Sequence, residues 1–174
     1  MRFETEKAAE ILTQTPKTLR SLLGNLSAEW IYDDTDSDSW SAFDVVGHLI
    51  HGEETDWIPR AKIILDQGEN IAFEPFDRLA QIEKSKGKSL SDLLNEFENL
   101  RLQNVEVLKL LNPNKEQMKL NGMHPELGKV TLEELLSTWV VHDLTHIRQI
   151  AVGFAQKYSK NVGPWKEYLS ILNK

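Results

Sequence analysis

Apolar residues recur at three- and four-residue spacing through four long segments of this 174-residue chain. That spacing places them on one face of an α-helix, and no segment shows the strict alternation that is typical of a β-strand. Amphipathic helices bury their apolar faces against one another, so the pattern predicts an all-α helix bundle. The length suits one hydrophobic core, and we expect residues 1–174 to form a single domain.

The ends of the helices are predicted from local signals. A Ser or Thr three residues before an acid is the spacing of a capping box, and it occurs at Ser41, Ser89 and Thr131. Pro16 is expected to kink or interrupt the first helix, and Pro59 is expected to bend the second. The predicted helices span approximately residues 3–23, 41–65, 89–111 and 131–156, with a shorter amphipathic helix over residues 164–172.

The connections between these helices are predicted to be irregular. Residues 33–39 contain only Asp, Ser and Thr, and they are too polar to be buried. Residues 67–88 show weak periodicity and are expected to form a long connection. Residues 121–128 contain two Gly, one Pro and one Asn, which predicts a turn-rich loop before the last long helix.

The composition excludes several classes of protein. There are 20 Lys and Arg against 27 Asp and Glu, so the net charge of −7 argues against a nucleic-acid partner. There is no Cys, which excludes disulfides, thiolate ligands and a Cys nucleophile. No stretch approaches the ~20 apolar residues of a membrane span, and residues 1–7 do not resemble a secretory signal. We therefore expect a soluble cytoplasmic protein.

Two histidines share one face of the predicted fourth helix. His142 and His146 are separated by about 40° around the helix axis, on the strip of core-facing residues that includes Leu135. Such a pair can bind one divalent ion at Zn–N distances of ~2.0–2.1 Å, but a metal site needs a further ligand. The second helix offers His48 or His51 as that ligand.

The helical phase does not decide between His48 and His51, because each lies at a margin of a broad apolar arc. His48 is flanked by Val45 and Leu49, whereas His51 lies near Glu54, and this contrast favours His48. Three histidines without a cysteine suit Zn²⁺, Ni²⁺ or Fe²⁺ better than Ca²⁺ or Mg²⁺. They would also leave coordination positions for water or substrate.

Three parts of the chain resemble signatures of the DinB-like superfamily. Residues 40–49 resemble its second helix, in which Trp-Ser begins the helix and a His follows eight residues after the Trp. Residues 124–132 resemble the loop before its last long helix, and residues 141–150 resemble its His-x-x-x-His-x-x-Gln motif. The three similar stretches occur in the family's order and span most of the chain.

The resemblance implies an antiparallel four-helix bundle of unusual helix order, often homodimeric. It also implies a divalent metal ion bound by His48, His142 and His146. Relatives include thiol-dependent transferases, which use mycothiol, bacillithiol or glutathione, and metal-dependent hydrolases. The family's name does not imply nucleic-acid chemistry, which agrees with the acidic composition.

Two polar residues near the histidine pair have alternative interpretations. Asp143 is predicted to face the core, where an unpaired carboxylate is costly. It could hold a ligand imidazole or form an ion pair with a neighbouring helix, for which Arg60 is one candidate, and both alternatives stay open. Gln149 lies beside His142 on the helical wheel and could line a pocket, but a surface position is favoured.

Other residues near the histidines are expected to have ordinary roles. His124 is predicted to be a solvated loop residue, and Glu53 and Glu54 are predicted to be solvated rather than to act as a general base. Trp57 and Trp139 are expected in the core rather than as platforms for a substrate.

The sequence contains neither a Gly-rich phosphate loop nor a nucleophile elbow, which leaves a metal ion as the chemical agent. The leading hypothesis is a metal-dependent enzyme, a thiol transferase or a hydrolase, that activates a small thiol or water against a small-molecule substrate. One alternative is a non-catalytic bundle that binds a metal or ligand, and another is a bundle whose histidines bind no metal. Trp165 and Leu169 could form a homodimer contact or cap the core.

Overall fold

A computed structural model of the protein describes residues 3–33 and 40–173, so most of the predicted polar connection, and the first two residues of the N-terminal segment, lie outside the described residues. The α-helices are α1 (Thr5–Leu23), α2 (Ala28–Ile31), α3 (Ala42–Thr55), α4 (Trp57–Gln67), α5 (Ala80–Lys84), α6 (Leu90–Leu111) and α7 (Leu132–Lys157). The strands are β1 (Asn121–His124) and β2 (Gly128–Thr131), and short 3-10 helices span Gly68–Asn70, Gln117–Lys119, Gly163–Tyr168 and Ser170–Leu172.

Four helical arms form the bundle: α1, the consecutive pair α3 and α4, α6, and α7. Helix α6 packs against α1 and α3, whereas α7 packs against α1, α3 and α4. The arms therefore follow one another around the bundle in the order α1, α6, α3–α4, α7. The predicted all-α four-helix bundle is confirmed.

Three of the long helices begin at the predicted capping boxes. In each box the N-cap hydroxyl accepts a hydrogen bond from the backbone N–H three residues on, and the acid at that position accepts one from the N-cap N–H. Because these bonds use only neighbouring residues, the sequence is sufficient to locate them. The pairs are Ser41 with Asp44, Ser89 with Asp92, and Thr131 with Glu134.

Helix α1 continues through Pro16, so the interruption that was one of the two predicted effects of this proline does not occur. A proline has no N–H, so the carbonyl of Leu12, four residues earlier, loses its helical partner. Arg101 of α6 replaces that partner, because its Nη1 donates to the Leu12 oxygen at 2.9 Å. A contact from a distant helix therefore compensates for the proline.

The second predicted helix is divided, and the division is not at Pro59. Helix α3 ends at Thr55 and α4 begins at Trp57, with Asp56 between them at φ −100° and ψ −72°. Pro59 lies in the first turn of α4, where backbone N–H groups have no intrahelical acceptor. The missing N–H of Pro59 therefore removes no intrahelical hydrogen bond of α4. The predicted bend at Pro59 is wrong.

A β-hairpin replaces the loop predicted at residues 121–128. Strand β1 pairs antiparallel with β2, and His124 lies opposite Gly128. The strands have four residues each, too few to show clear alternation in the sequence. Gly122 is required here, because a Cβ at this position would lie 2.6 Å from Phe73 Cζ. The hairpin brings His124 to the cavity described below.

The bundle interior contains two apolar clusters with a layer of buried charge between them. On α6, Arg101 lies between Phe97 of one cluster and Val105 of the other. The side chains of Arg101, Glu53 and Asp143 are all 0% exposed. Buried charges persist only when they are paired, and here the pairs link α6 to α3 and α7.

The short closing helix is formed by two 3-10 helices rather than by one amphipathic α-helix. Leu172 is 9% exposed, and its 3-10 helix packs against α7, so this part of the segment caps the core. Trp165 is 71% exposed and Leu169 is 38% exposed. Their contribution to a homodimer stays a prediction.

None of the helices within the described ranges is both long enough and apolar enough to cross a lipid bilayer.

Candidate metal centre

Three imidazoles meet where α3 packs against α7. His48 Nε2 lies 3.1 Å from His142 Nε2, and His146 Nε2 also lies 3.1 Å from His142 Nε2. His142 and His146 are four residues apart on α7, which puts them one above the other on the same face. The structure therefore brings together the three histidines that the resemblance implied.

The spacing of these nitrogens fits a shared metal ion. Two nitrogens that bind Zn²⁺ at ~2.0–2.1 Å, with an angle of about 90–110° at the metal, lie about 2.9–3.4 Å apart. Both observed separations of 3.1 Å fall within that range. The donor set is three imidazole nitrogens, which suits Zn²⁺, Ni²⁺ or Fe²⁺.

The environment keeps these imidazoles neutral. Burial lowers the pKa of His48 to about 3, and proximity to His146 and His51 adds to the shift. Burial also lowers the pKa of His142 to about 3, and it lowers the pKa of His146. All three are therefore neutral at pH 7, which is the form of imidazole that binds a metal ion.

Gln149 orients one of the three imidazoles. Its Oε1 lies 2.7 Å from His146 Nδ1, three residues earlier on α7. An amide oxygen only accepts, so Nδ1 of His146 carries the proton and Nε2 presents its lone pair to the other two histidines. The expectation that Gln149 is a surface residue is wrong. The helical wheel placed Gln149 beside His142, but its three-residue spacing from His146 is the signal from which this contact could have been found.

Asp143 forms an ion pair with a neighbouring helix, but its partner is not Arg60. Both carboxylate oxygens of Asp143 accept from the guanidinium of Arg101. Arg60 instead pairs with Asp56, the N-cap residue of its own helix. Within the described part of the chain, the Asp143 carboxylate makes no hydrogen bond to a ligand imidazole, and Gln149 provides that type of contact instead.

Glu53 is buried rather than solvated. Its Oε1 accepts from Arg101 Nη2 at 2.8 Å and from Trp139 Nε1 at 2.9 Å, and its Oε2 accepts from Asn104 at 3.0 Å. Burial alone would lower the pKa of Arg101, but Glu53 and Asp143 reverse that effect and raise it. Arg101 occupies the apolar stripe of α6, a position where a charge signals a buried partner.

The other candidate residues lie outside the three-histidine cluster. His51 Nδ1 lies 3.2 Å from Lys84 Nζ, and Glu54 pairs with the same lysine at the surface, as expected for a solvated acid. His124 is only partly solvated, because its Nδ1 accepts backbone hydrogen bonds from Glu126 and Leu127 within the hairpin turn.

The three imidazoles lie on the wall of a cavity of about 620 Å³. Trp40 and Phe76 pack on His48, with ring centroids 4.7 and 5.2 Å away. Trp139 is fully buried in the core, as expected, and Trp57 is buried but also lines the cavity. The volume is typical of a small-molecule site. Its polar lining residues besides the histidine cluster are Asp56, Arg60, Arg78, His124, Glu126, Glu134 and Thr138.

Comparisons with known proteins agree with this geometry. No protein with a curated description matches the chain. Among solved structures the chain is similar to YfiT from Bacillus subtilis, described as a probable metal-dependent hydrolase with an unusual four-helix bundle topology, at 25% sequence identity and a TM-score of 0.73. That similarity covers 91% of this chain and 87% of YfiT. The profile of the DinB superfamily matches residues 11–150, which is most of the sequence, and the chain therefore belongs to the DinB superfamily.

Proposed function

We propose that this protein is a metal-dependent hydrolase, in which His48, His142 and His146 bind one Zn²⁺, Ni²⁺ or Fe²⁺ ion. The observation that carries the proposal is the convergence of three neutral imidazoles on the wall of one cavity, with His48 Nε2 and His146 Nε2 each 3.1 Å from His142 Nε2. The description of YfiT as a probable metal-dependent hydrolase supports the same type of chemistry.

The side chains around the cluster have defined tasks in this proposal. When bound, the ion supplies Lewis acidity, which lowers the pKa of water or a thiol and polarises a carbonyl group. Gln149 holds His146 in the tautomer that directs its Nε2 toward the ion. Trp40 and Phe76 cover His48 and exclude bulk water from that side of the cluster. The substrate is a small molecule, because the cavity has room for one.

The test uses protein purified without an affinity tag. It compares chelator-treated protein with protein reloaded with Zn²⁺, Ni²⁺ or Fe²⁺. Hydrolysis of chromogenic carboxylic esters and anilides is expected to require the metal. In His146→Ala it should fall at least about 100-fold, because Lewis-acid stabilisation is worth several kcal/mol. Elemental analysis measures the metal content in parallel.

Each other outcome contradicts the proposal in a distinct way. Conjugation of glutathione or bacillithiol to chlorodinitrobenzene, without hydrolysis, would replace the hydrolase by a thiol transferase. A bound metal that raises the melting temperature without any turnover would indicate a binding protein. Absence of bound metal after reloading would reject a metal site altogether.

Gln149→Ala is expected to weaken metal affinity about 10- to 100-fold while leaving the fold intact, because residues that orient a ligand imidazole have effects of this size. The variant removes the acceptor of the His146 Nδ1 proton. Competition with a fluorescent chelator measures the affinity. Gln156→Ala, at an exposed position of the same helix, is the control and should match the wild type. Equal affinities of the two variants would contradict the role of Gln149.

A further inference from the structure

Asp56 is a second ionisable group on the wall of the cavity that holds the three histidines. It lies at the junction of α3 and α4 and is 9% exposed. The next residue, Trp57, packs edge-on against His142 with ring centroids 5.0 Å apart. A buried carboxylate that opens on a cavity with a candidate metal cluster is a functional candidate because of its position alone.

The carboxylate of Asp56 has no role in capping α4. Asp56 occupies the N-cap position, where a side chain normally accepts from the backbone N–H at the second or third helical residue. The third residue here is Pro59, which has no N–H, and the Asp56 side chain makes no capping hydrogen bond. A capping hydrogen bond therefore does not explain the acid at this position.

Arg60 is the charged partner of Asp56, but it leaves the carboxylate incompletely satisfied. Arg60 Nη2 lies 2.8 Å from Asp56 Oδ1, one turn away on α4. The geometry of that contact is not that of a hydrogen bond, so the buried Oδ1 has no hydrogen-bond partner among the described residues. Arg60 also donates to the backbone oxygen of Glu74 at 3.1 Å and stacks on Phe73, and these contacts hold it in place.

The protonation of Asp56 changes close to neutral pH. Burial raises its pKa to about 6, and the positive charge of Arg60 acts in the opposite direction. A group with a pKa near the working pH accepts and returns a proton efficiently. Glu134 is engaged in the capping box of α7. The charged or titratable side chains that line the cavity with Asp56, apart from the three candidate ligands, are Arg60, Arg78, His124, Glu126 and Glu134.

We propose that Asp56 is the proton-transfer residue of this site, an inference that rests on the proposed hydrolase function. As the water oxygen forms its bond to the electrophilic carbon of the substrate, one water O–H bond breaks and the proton passes to the Asp56 carboxylate. As the bond from that carbon to the leaving group breaks, Asp56 returns the proton to the leaving group. The carboxylate is regenerated, and no further reactant is consumed.

The first experiment compares Asp56→Asn with the wild type in the metal-loaded protein. We expect kcat to fall about 100-fold or more, which is the contribution of a positioned acid or base, with KM and metal content unchanged. The wild-type profile of kcat/KM should fall as the pH drops through about 6, where Asp56 becomes protonated, and that fall should be absent in Asp56→Asn. Asp66→Asn, at an exposed position of α4, is the matched control and should behave as the wild type.

A second variant separates proton transfer from a structural role. Arg60→Gln removes the charge that lowers the pKa of Asp56, so the acidic fall in kcat/KM should move to higher pH. A carboxylate that served only the fold would not move this profile. Asp56→Glu, which keeps a carboxylate, should retain the acidic fall, and it replaces Asp56→Asn if that variant does not fold.

The melting temperature of the metal-free protein provides an independent test of the ionisation of Asp56. Because the folded-state pKa of Asp56 is raised, its ionisation costs stability as the pH rises through about 6. The metal-free wild type should therefore lose melting temperature relative to Asp56→Asn between pH 4.5 and 7.

The outcomes are distinguishable. If His146→Ala is inactive while Asp56→Asn keeps the wild-type rate and pH profile, only the role of Asp56 is overturned. If Asp56→Asn loses its metal together with its activity, Asp56 is a structural residue. If the wild type shows no metal-dependent turnover, the proposed function and the role of Asp56 are both overturned.

Discussion

Arg101→Met is expected to lower the free energy of unfolding by about 3–5 kcal/mol, the usual cost of breaking a buried ion pair by removing one partner. Arg101 pairs with Glu53 and Asp143, and all three side chains are fully buried. The variant leaves two carboxylates without a cation in the bundle interior, and it removes the donor to the Leu12 carbonyl that Pro16 leaves without a helical partner. Urea denaturation monitored by circular dichroism measures the change.

Arg20→Met provides the matched control, because Arg20 forms an ion pair with Glu98 in which the two side chains are 39% and 34% exposed rather than fully buried. Exposed pairs contribute about 0–1 kcal/mol, so this control should differ little from the wild type. The triple variant with Arg101→Met, Glu53→Gln and Asp143→Asn should recover part of the loss, because no unpaired carboxylate remains. A loss below about 1 kcal/mol in Arg101→Met would show that the charged layer does not hold the bundle together.

His48→Ala is expected to reduce metal affinity by more than about 100-fold, beyond the range seen for residues that only orient a ligand. The variant removes one of the three converging nitrogens and leaves two, which make a poor site. For the wild type, metal at 100 times its Kd should raise the free energy of unfolding by about 2.7 kcal/mol. That stabilisation should disappear in His48→Ala.

His51→Ala is the control, since His51 is buried on the same helix, three residues from His48, but contacts Lys84 instead of the cluster. It should bind metal with wild-type affinity and show the full metal-dependent stabilisation. If His51→Ala and His48→Ala lose metal to the same extent, the assignment of the three ligands is wrong. Calorimetric titration of each protein with Zn²⁺ and with Ni²⁺ makes the comparison.

Features that depend on neighbouring residues could be predicted from the sequence. The capping boxes at Ser41, Ser89 and Thr131 are confirmed, because each is formed by residues three positions apart. The juxtaposition of His142 and His146 follows from one helical turn. The family resemblance added His48, which helical phase could not select over His51.

Features that depend on long-range contacts were predicted poorly. Glu53 was expected in solvent because acids usually are, but its partner Arg101 lies 48 residues away. The β-hairpin was missed because its strands are short and depend on a pairing with residues 72 and 73. The second helix was predicted to bend at Pro59, whereas the structure divides it at Asp56. The sequence does not show whether a proline lies in the first turn of a helix or in its interior.

The amino-acid order alone was enough to place the four helical arms, three capped helix starts and the pairing of two imidazoles on one face, since backbone hydrogen bonds and helical periodicity act over a few residues. Only the tertiary structure decided which acids surround Arg101 and that Asp56 lines the cavity of the three histidines. These contacts depend on how the four helical arms pack around the bundle. That packing decides which acids lie close enough to form ion pairs with a buried Arg.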